Sequence, residues 1–212
     1  MQLRVADVRK IFERITPGSD GMMSVKNLAF IADEPWIFAK PNYDYVDAEL
    51  SWYESQSLDV NDLADEYGKR VTLWDAAADK WGNINSNYGY LMYSEENGSQ
   101  WDNVIAELRR DPNSRRALAI YQRPSMHTDA FEDGRNDFVC TNAVQYYISA
   151  RKLNCVVSMR SNDLVYGYNN DWAWQDHLLL GMAYAVDCTP GTIHWHCMDA
   201  HVYPRHQHLV RP

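Results

Sequence analysis

The chain has 212 residues, 46% of them hydrophobic and 13% aromatic, with a formal net charge of -9. That length buries one sizeable core and is read as a single domain, 1–212. An acidic balance without a Lys/Arg run excludes a polynucleotide or an anionic membrane as the natural partner, yet leaves room for a mononucleotide held by a few placed arginines.

Cys140, Cys155, Cys188 and Cys197 lack CxxC spacing, so neither a zinc knuckle nor a disulfide framework is indicated. No apolar run approaches the roughly 18 residues of a membrane span, and the N-terminus has no apolar signal core. The expectation is a cytoplasmic protein with reduced thiols. Fourteen Tyr and eight Trp suit flat apolar walls with polar rims, whether in a pocket for heterocycles or in an aromatic core.

Residues 3–15 place Leu3, Val5, Val8, Ile11, Phe12 and Ile15 at near-helical spacing, and Pro17-Gly18 ends the run. Residues 42–56 predict a second helix, with Tyr45, Ala48, Leu50, Trp52 and Tyr53 among acids. Shorter helices are expected over 72–81 and 97–110, the latter stopped before Asp111-Pro112 because a residue preceding proline is pushed out of helical geometry. From Arg115 the texture changes. Segments 117–121, 138–148 and 153–159 carry aromatic and β-branched residues in partial alternation, as strands do. Residues 171–186 return to helical spacing, with Asp171 as the cap and Gly191 beyond the far end. Residues 192–203 read as a last strand. Helices first and strands later give an α+β domain with one large sheet.

Three constellations could carry chemistry. Cys140 stands in Asp-Phe-Val-Cys-Thr-Asn at a predicted strand edge. A lone cysteine is most often a small buried hydrophobe. It becomes a nucleophile when a cation populates its thiolate, and Arg160 would serve if the two segments pair. Arg160 and Ser161, with Arg115 and Arg116 elsewhere, are the parts of an oxyanion cradle, since guanidinium forks match phosphate; ordinary ion pairs with the many acids would use the same arginines. His194 and His196, two apart on a strand, point to one face as a metal pair does. A metal-dependent hydrolase or oxygenase is therefore a rival class, but no HExxH occurs, half-buried sheet-edge histidines explain the spacing equally, and no metal ligand is assigned. A non-catalytic nucleotide-binding module is a third reading.

Taken in order, these residues resemble the thymidylate synthase family over most of the chain. The matching phrases are Glu49-Leu-Ser-Trp, Leu73-Trp-Asp, Asn87-Tyr-Gly, Asp111-Pro-Asn-Ser-Arg-Arg116, Cys140, Met159-Arg-Ser-Asn-Asp-Leu-Val-Tyr-Gly167 and Asp199-Ala-His-Val-Tyr203. Within the family the chain looks closest to the T-even phage branch that hydroxymethylates deoxycytidylate. Phe30-Ile-Ala-Asp-Glu-Pro, Ile84-Asn-Ser-Asn-Tyr-Gly, Arg123-Pro-Ser-Met and Asn170-Asp-Trp-Ala-Trp-Gln175 carry that closeness. The resemblance implies a large bent mixed sheet flanked by helices and a homodimer joined sheet to sheet. It also implies a phage-encoded enzyme acting on dCMP in the host cytoplasm, with 5,10-methylenetetrahydrofolate as carbon donor.

Roles follow by position. The resemblance makes Cys140 the nucleophile that adds to C6 of the pyrimidine, turning C5 into an enamine-like nucleophile. Arg160 and Ser161 hold the phosphate, with Arg115 and Arg116 reaching across from the other subunit. His201 and Tyr203 bind the sugar 3′-hydroxyl. Glu49 organises water and proton transfers, Tyr88 helps remove the C5 proton, and Trp74 and Asp163 contact the folate.

One departure selects the base. Thymidylate synthases carry Asn where this chain has Asp171. An amide donates to O4 of uracil and accepts from N3–H, whereas cytosine inverts both groups. A carboxyl group fits cytosine, accepting from N4 and delivering a proton to N3, and N3 protonation drains charge from C6. A solvent-facing helix cap is the alternative use of this Asp. Thr141 replaces the family's His after the nucleophile, as in the hydroxymethylases.

An exocyclic methylene on C5 then has two fates. Water gives 5-hydroxymethyl-dCMP; hydride from the folate gives 5-methyl-dCMP and dihydrofolate, as in a dCMP methyltransferase. The second fate needs water kept out. The chain stops at Pro212, soon after Tyr203, so the closing lid of the thymidylate synthases is expected to be absent or trimmed, which favours hydroxymethylation. Tyr90 and Tyr93 stand where the T-even enzymes have tryptophans.

Overall fold

A computed structural model describes residues 2–132 and 134–211. Its strands are β1 (Leu3–Arg4), β2 (Met23–Ile31), β3 (Leu118–Ile120), β4 (Thr141–Ser149), β5 (Lys152–Met159), β6 (Asn162–Asp163) and β7 (Thr189–Val202). Its helices are α1 (Val5–Arg14), α2 (Tyr43–Ser55), α3 (Val60–Tyr67), α4 (Thr72–Ala77), α5 (Tyr88–Tyr93), α6 (Gln100–Arg110), α7 (Met126–Glu132) and α8 (Gly167–Ala185). They fall into two compact units. One takes the chain up to Pro41, Glu107–Leu118 and everything from Cys140; the other takes Asn42–Ala106 and Ala119–Val139.

The first unit is built on a mixed, open sheet in the order β1-β2-β7-β5-β4-β3, with β6 beside β7. β7 runs antiparallel to β2 and parallel to β5 and β6, while β4 and β5 form an antiparallel hairpin. That hairpin turns on Ala150 and Arg151 at φ 50° and 61°, the left-handed twist a two-residue loop requires even without glycine. α1 buries Val5, Val8 and Phe12 on one stripe. Arg9 of α1 grips the segment after β2, with a two-pronged contact to Glu34 (2.9 and 2.7 Å) and bonds to the carbonyls of Trp36 and Ile37.

α8 is apolar over much of its circumference, burying Tyr168, Trp174, Leu178, Leu179 and Met182. Its polar tips are spoken for: Tyr168 Oη, Asn169 Nδ2 and Trp172 Nε1 donate to the carbonyls of Glu34, Ala39 and Ala32. The helix starts at Gly167, so Asp171 lies inside it and is not its cap. Asp163 of β6 instead braces the turn that leads into it, its carboxylate accepting from the N–H groups of Val165 (3.1 Å) and Tyr166 (3.3 Å). Gly191 is likewise no helix stop. It sits within β7, where a Cβ would lie 2.7 Å from the Leu153 carbonyl oxygen.

In the second unit an aromatic row runs Trp52, Tyr53, Tyr88, Tyr121, with neighbouring ring centroids 5.2–5.6 Å apart. Asn87 caps α5 through Oδ1 to Tyr90 N and sends Nδ2 to the carbonyls of Trp52 and Ser57. The helix expected over 72–81 ends at Ala77, because Ala78 turns extended and the Asp79 carboxylate takes the N–H groups of Trp81 and Asn83. The one expected over 97–110 starts at Gln100, after Gly98 and Ser99 at positive φ. Among the described residues, no helix is long and apolar enough to cross a membrane.

Candidate active site

Four chain segments meet at one end of the sheet in the first unit. Thr141 of β4 pairs with Met159 of β5, and Met159 pairs with Cys197 of β7, so the residues just outside this row are neighbours. Arg160 N donates to the Cys140 carbonyl at 2.9 Å, and Arg160 Nη2 reaches Cys140 Sγ at 3.5 Å. The pairing that the sequence required for a cation beside the cysteine is therefore present. Burial still dominates: it pushes the half-buried Cys140 thiol up to about 11, with Arg160 pulling down and the Asp171 carboxylate pushing up.

β6 adds the next part. Asn162 and Asp163 pair with Ala200 and His201 of β7, and Leu164 N donates to the His201 carbonyl. His201 is buried, its Nδ1 3.2 Å from the Asp199 carbonyl and 3.5 Å from Ser161 Oγ. Tyr203 packs edge-on against the His201 ring at 4.9 Å and carries Arg205 over its own face. Asp171 faces this group from α8, its Oδ2 accepting from Asn162 Nδ2 at 2.8 Å. Cys140, Arg160, Ser161, Asp163, Asp171, His201 and Tyr203 thus belong to one neighbourhood: a thiol, a guanidinium and hydroxyl suited to a phosphate, an imidazole and phenol suited to a sugar hydroxyl, and a carboxyl suited to a base edge.

The second unit holds another predicted set. Glu49 is buried on α2, and desolvation raises its carboxyl to about 7 against the lowering pull of hydrogen bonds from Tyr45 and Trp74. Tyr45 Oη donates to Glu49 Oε1 at 2.6 Å and accepts from Trp74 Nε1 at 2.8 Å. An acid poised near neutrality can both give and take a proton. The sequence did not single out Tyr45 as a partner of Glu49, although its place four residues before Glu49 puts both on one helix face. Tyr88 is buried between Tyr53 and Tyr121.

Arg115 and Arg116 take their contacts elsewhere. Both are exposed. The Arg115 carbonyl accepts from Gln145 of β4, and Arg116 pairs with Glu107. Arg115 also borders an open groove of about 410 Å³ on the sheet, with Leu118, Ala143, Tyr147 and Val156.

The histidine pair has protein partners instead of a metal geometry: His194 bonds Gln2 and Tyr147, and His196 bonds Asn27. Among the described residues, no group of three or more His, Cys, Asp or Glu is placed to hold an ion.

The sequence model of the thymidylate synthase family matches residues 39–212. The chain belongs to the thymidylate synthase family. Relatives include the deoxycytidylate 5-hydroxymethyltransferases of Enterobacteria phages T4 and T2, each 47% identical over 189 residues, 86% of this chain and 76% of theirs. The thymidylate synthase of Rhodopseudomonas palustris (strain BisA53) is 30% identical over 154 residues, 69% of this chain and 50% of its own. The family fold is evident against the thermostable thymidylate synthase A of Bacillus subtilis, with a TM-score of 0.69 at 24% identity over 90% of this chain and 71% of that one.

Proposed function

We propose that the chain transfers a one-carbon unit from 5,10-methylenetetrahydrofolate to C5 of dCMP and yields 5-hydroxymethyl-dCMP. The observation that carries this reading is an acid, Asp171, that faces the Cys140 neighbourhood from α8, at the position where the resemblance to the uridylate enzymes implies an amide. The 47% identity to the phage hydroxymethyltransferases supports the same choice of base and product.

In this mechanism Arg160 and Ser161 hold the phosphate, and His201 with Tyr203 holds the 3′-hydroxyl, which fixes the ring over Cys140. The Cys140 sulfur bonds to C6 as its S–H proton passes to solvent, the C5–C6 electron pair moves into the ring, and Asp171, in its acid form, delivers a proton to N3 to receive it. The folate, when bound, supplies a carbon at the oxidation level of formaldehyde. Trp74, edge-on to Trp52 at 5.3 Å, offers it a flat face, and Asp163, fixed by two backbone N–H groups, offers acceptors suited to a pterin edge. Tyr88 assists loss of the C5 proton. Glu49, near neutrality, orients the water that adds to the exocyclic methylene and takes its proton; elimination of the Cys140 sulfur then frees the product.

The reading extends to a homodimer joined sheet to sheet, with Arg115 and Arg116 given to the partner's phosphate. The outward side chains Val156 and Met198, 38% and 50% exposed, and the groove beside Arg115 support it. We place the enzyme in the cytoplasm of a phage host. Incubation of dCMP with methylenetetrahydrofolate, followed by mass analysis and absorbance at the dihydrofolate band, tests the function. The expected product carries a hydroxymethyl group with no dihydrofolate formed; a methyl group with stoichiometric dihydrofolate would overturn it.

A further inference from the structure

Two phrases that carry the likeness to the hydroxymethylating branch, Ile84-Asn-Ser-Asn-Tyr-Gly and Arg123-Pro-Ser-Met, have their first residues outside the mechanism above. In the second unit they meet at Asp137, a carboxyl three residues before Cys140. Asp137 Oδ2 accepts from the N–H groups of Asn85 (2.5 Å) and Ser86 (2.6 Å), and Arg123 Nη2 donates to Asn85 Oδ1 at 2.9 Å. Those bonds tie down the loop before α5. They leave over one acceptor, Asp137 Oδ1, and one donor, Asn85 Nδ2, both buried and neither with a hydrogen-bond partner. Asn85 is 2% exposed. Turning its amide round gives no relief, because the NH2 group would then face the Arg123 guanidinium, donor against donor. Burial pushes the Asp137 carboxyl up, against the pull of the Ser86 hydroxyl and the two amides.

We infer that Asn85 and Asp137 hold the water molecule that adds to the exocyclic methylene and becomes the hydroxyl group of the product. Its oxygen accepts from Asn85 Nδ2 and one of its hydrogens goes to Asp137 Oδ1; a donor and an acceptor on adjoining buried groups are what a fixed water needs. A carboxyl present only to tie the loop is served by Oδ2, and burying the second oxygen beside an unused amide nitrogen is costly without such a partner. Solvent has a way in. Asn85 and Arg123, with Tyr90 and Glu96, line a polar cleft of about 270 Å³. Three residues of chain span at most about 11 Å, so the Asp137 backbone is tethered within that reach of Cys140, whose adduct the water must meet. In the step itself the water oxygen bonds to the methylene carbon and its other proton passes to Glu49. The methylene electron pair moves to C5, from which it expels the Cys140 sulfur.

The inference rests on the hydroxymethyl reading, and one assay separates their failures. dCMP tritiated at C5 is turned over with methylenetetrahydrofolate. Tritium release counts the turnovers that lose the C5 proton, and mass analysis counts hydroxymethyl, methyl and Cys140-bound products. Asp137→Asn keeps an oxygen for the Asn85 and Ser86 amides but turns the second acceptor into a donor; Asn85→Asp keeps the oxygen for Arg123 but turns the donor into an acceptor. Each should raise the ratio of tritium released to hydroxymethyl-dCMP formed about tenfold over the unsubstituted enzyme. The difference should appear as 5-methyl-dCMP with dihydrofolate or as adduct retained on the protein. A ratio unchanged in either folded variant, or tritium release lost in step with product, overturns the role of Asn85 and Asp137 and leaves them as loop ties. 5-Methyl-dCMP with dihydrofolate from the unsubstituted enzyme overturns the reading beneath it. Should Asp137→Asn not fold, Asn85→Asp decides alone on the same ratio.

Discussion

At the level of single side chains, the arrangement of Glu49 gives a pH signature. Its carboxyl, normally near 4.5, is raised to about 7 by burial, and the Tyr45 hydroxyl holds it down from going higher. Removing that donor in Tyr45→Phe favours the protonated form, so the limb of the kcat profile that reports Glu49 should move upward from about 7. A profile that keeps its position while kcat falls would instead make Tyr45 a packing residue. Neutral Glu49 also links to stability. Because its folded pKa exceeds the unfolded one, the stabilisation it lends is complete below about 4.5 and is lost as pH rises through about 7. The residues of the candidate site were legible because their types and order are unusual: Cys140, then Arg160-Ser161, then His201-x-Tyr203. Asn162 was not, since its hydrogen bond to Asp171 depends on a two-residue strand that no periodicity announces.

Secondary structure was read well wherever one face is buried and poorly where a side chain from elsewhere sets the boundary. α2, β4, β5 and β7 lie close to their expected bounds because apolar spacing decides them. β2 escaped because Asn27, at φ 56°, breaks its alternation; Lys26 pairs with Asp199 and Leu28 with Cys197. The start of α8 escaped because its cap position is Tyr166, which offers no capping side chain, and the turn before it is held by Asp163 from outside the helix. α5 shows how tightly some elements are set. A Cβ on Gly89 would stand 1.7 Å from the carbonyl oxygen of Tyr53, which is backbone and cannot yield. Gly89→Ala should therefore cost about 3 kcal/mol, read as a lowered urea midpoint with an unchanged slope. A midpoint equal to that of the parent would mean that α5 moves freely against α2.

For the assembled molecule, the expected subunit exchange makes a direct experiment. If Arg115 and Arg116 serve a neighbouring subunit, Cys140→Ser and the paired change Arg115→Ala with Arg116→Ala are each inactive alone. Mixed and allowed to exchange, half the dimers are hybrid, and each hybrid contains one site with an intact cysteine and intact arginines. Activity should return to about a quarter of the parent's. No recovery, with hybrids verified by native mass spectrometry, would place both arginines in their own subunit's chemistry. The sheet face itself could not be assigned from alternation alone, because Val156, Met198 and Tyr147 look like core residues in a strand pattern and only the exposure of the first two reveals an outer surface.

A sulfhydryl that burial raises to about 11 is almost wholly un-ionised at neutral pH. Peroxides and alkylating agents attack the thiolate anion, so the protein without nucleotide offers them little. In the proposed mechanism the sulfur gains its reactivity only in company, when a pyrimidine that has accepted a proton lies over it.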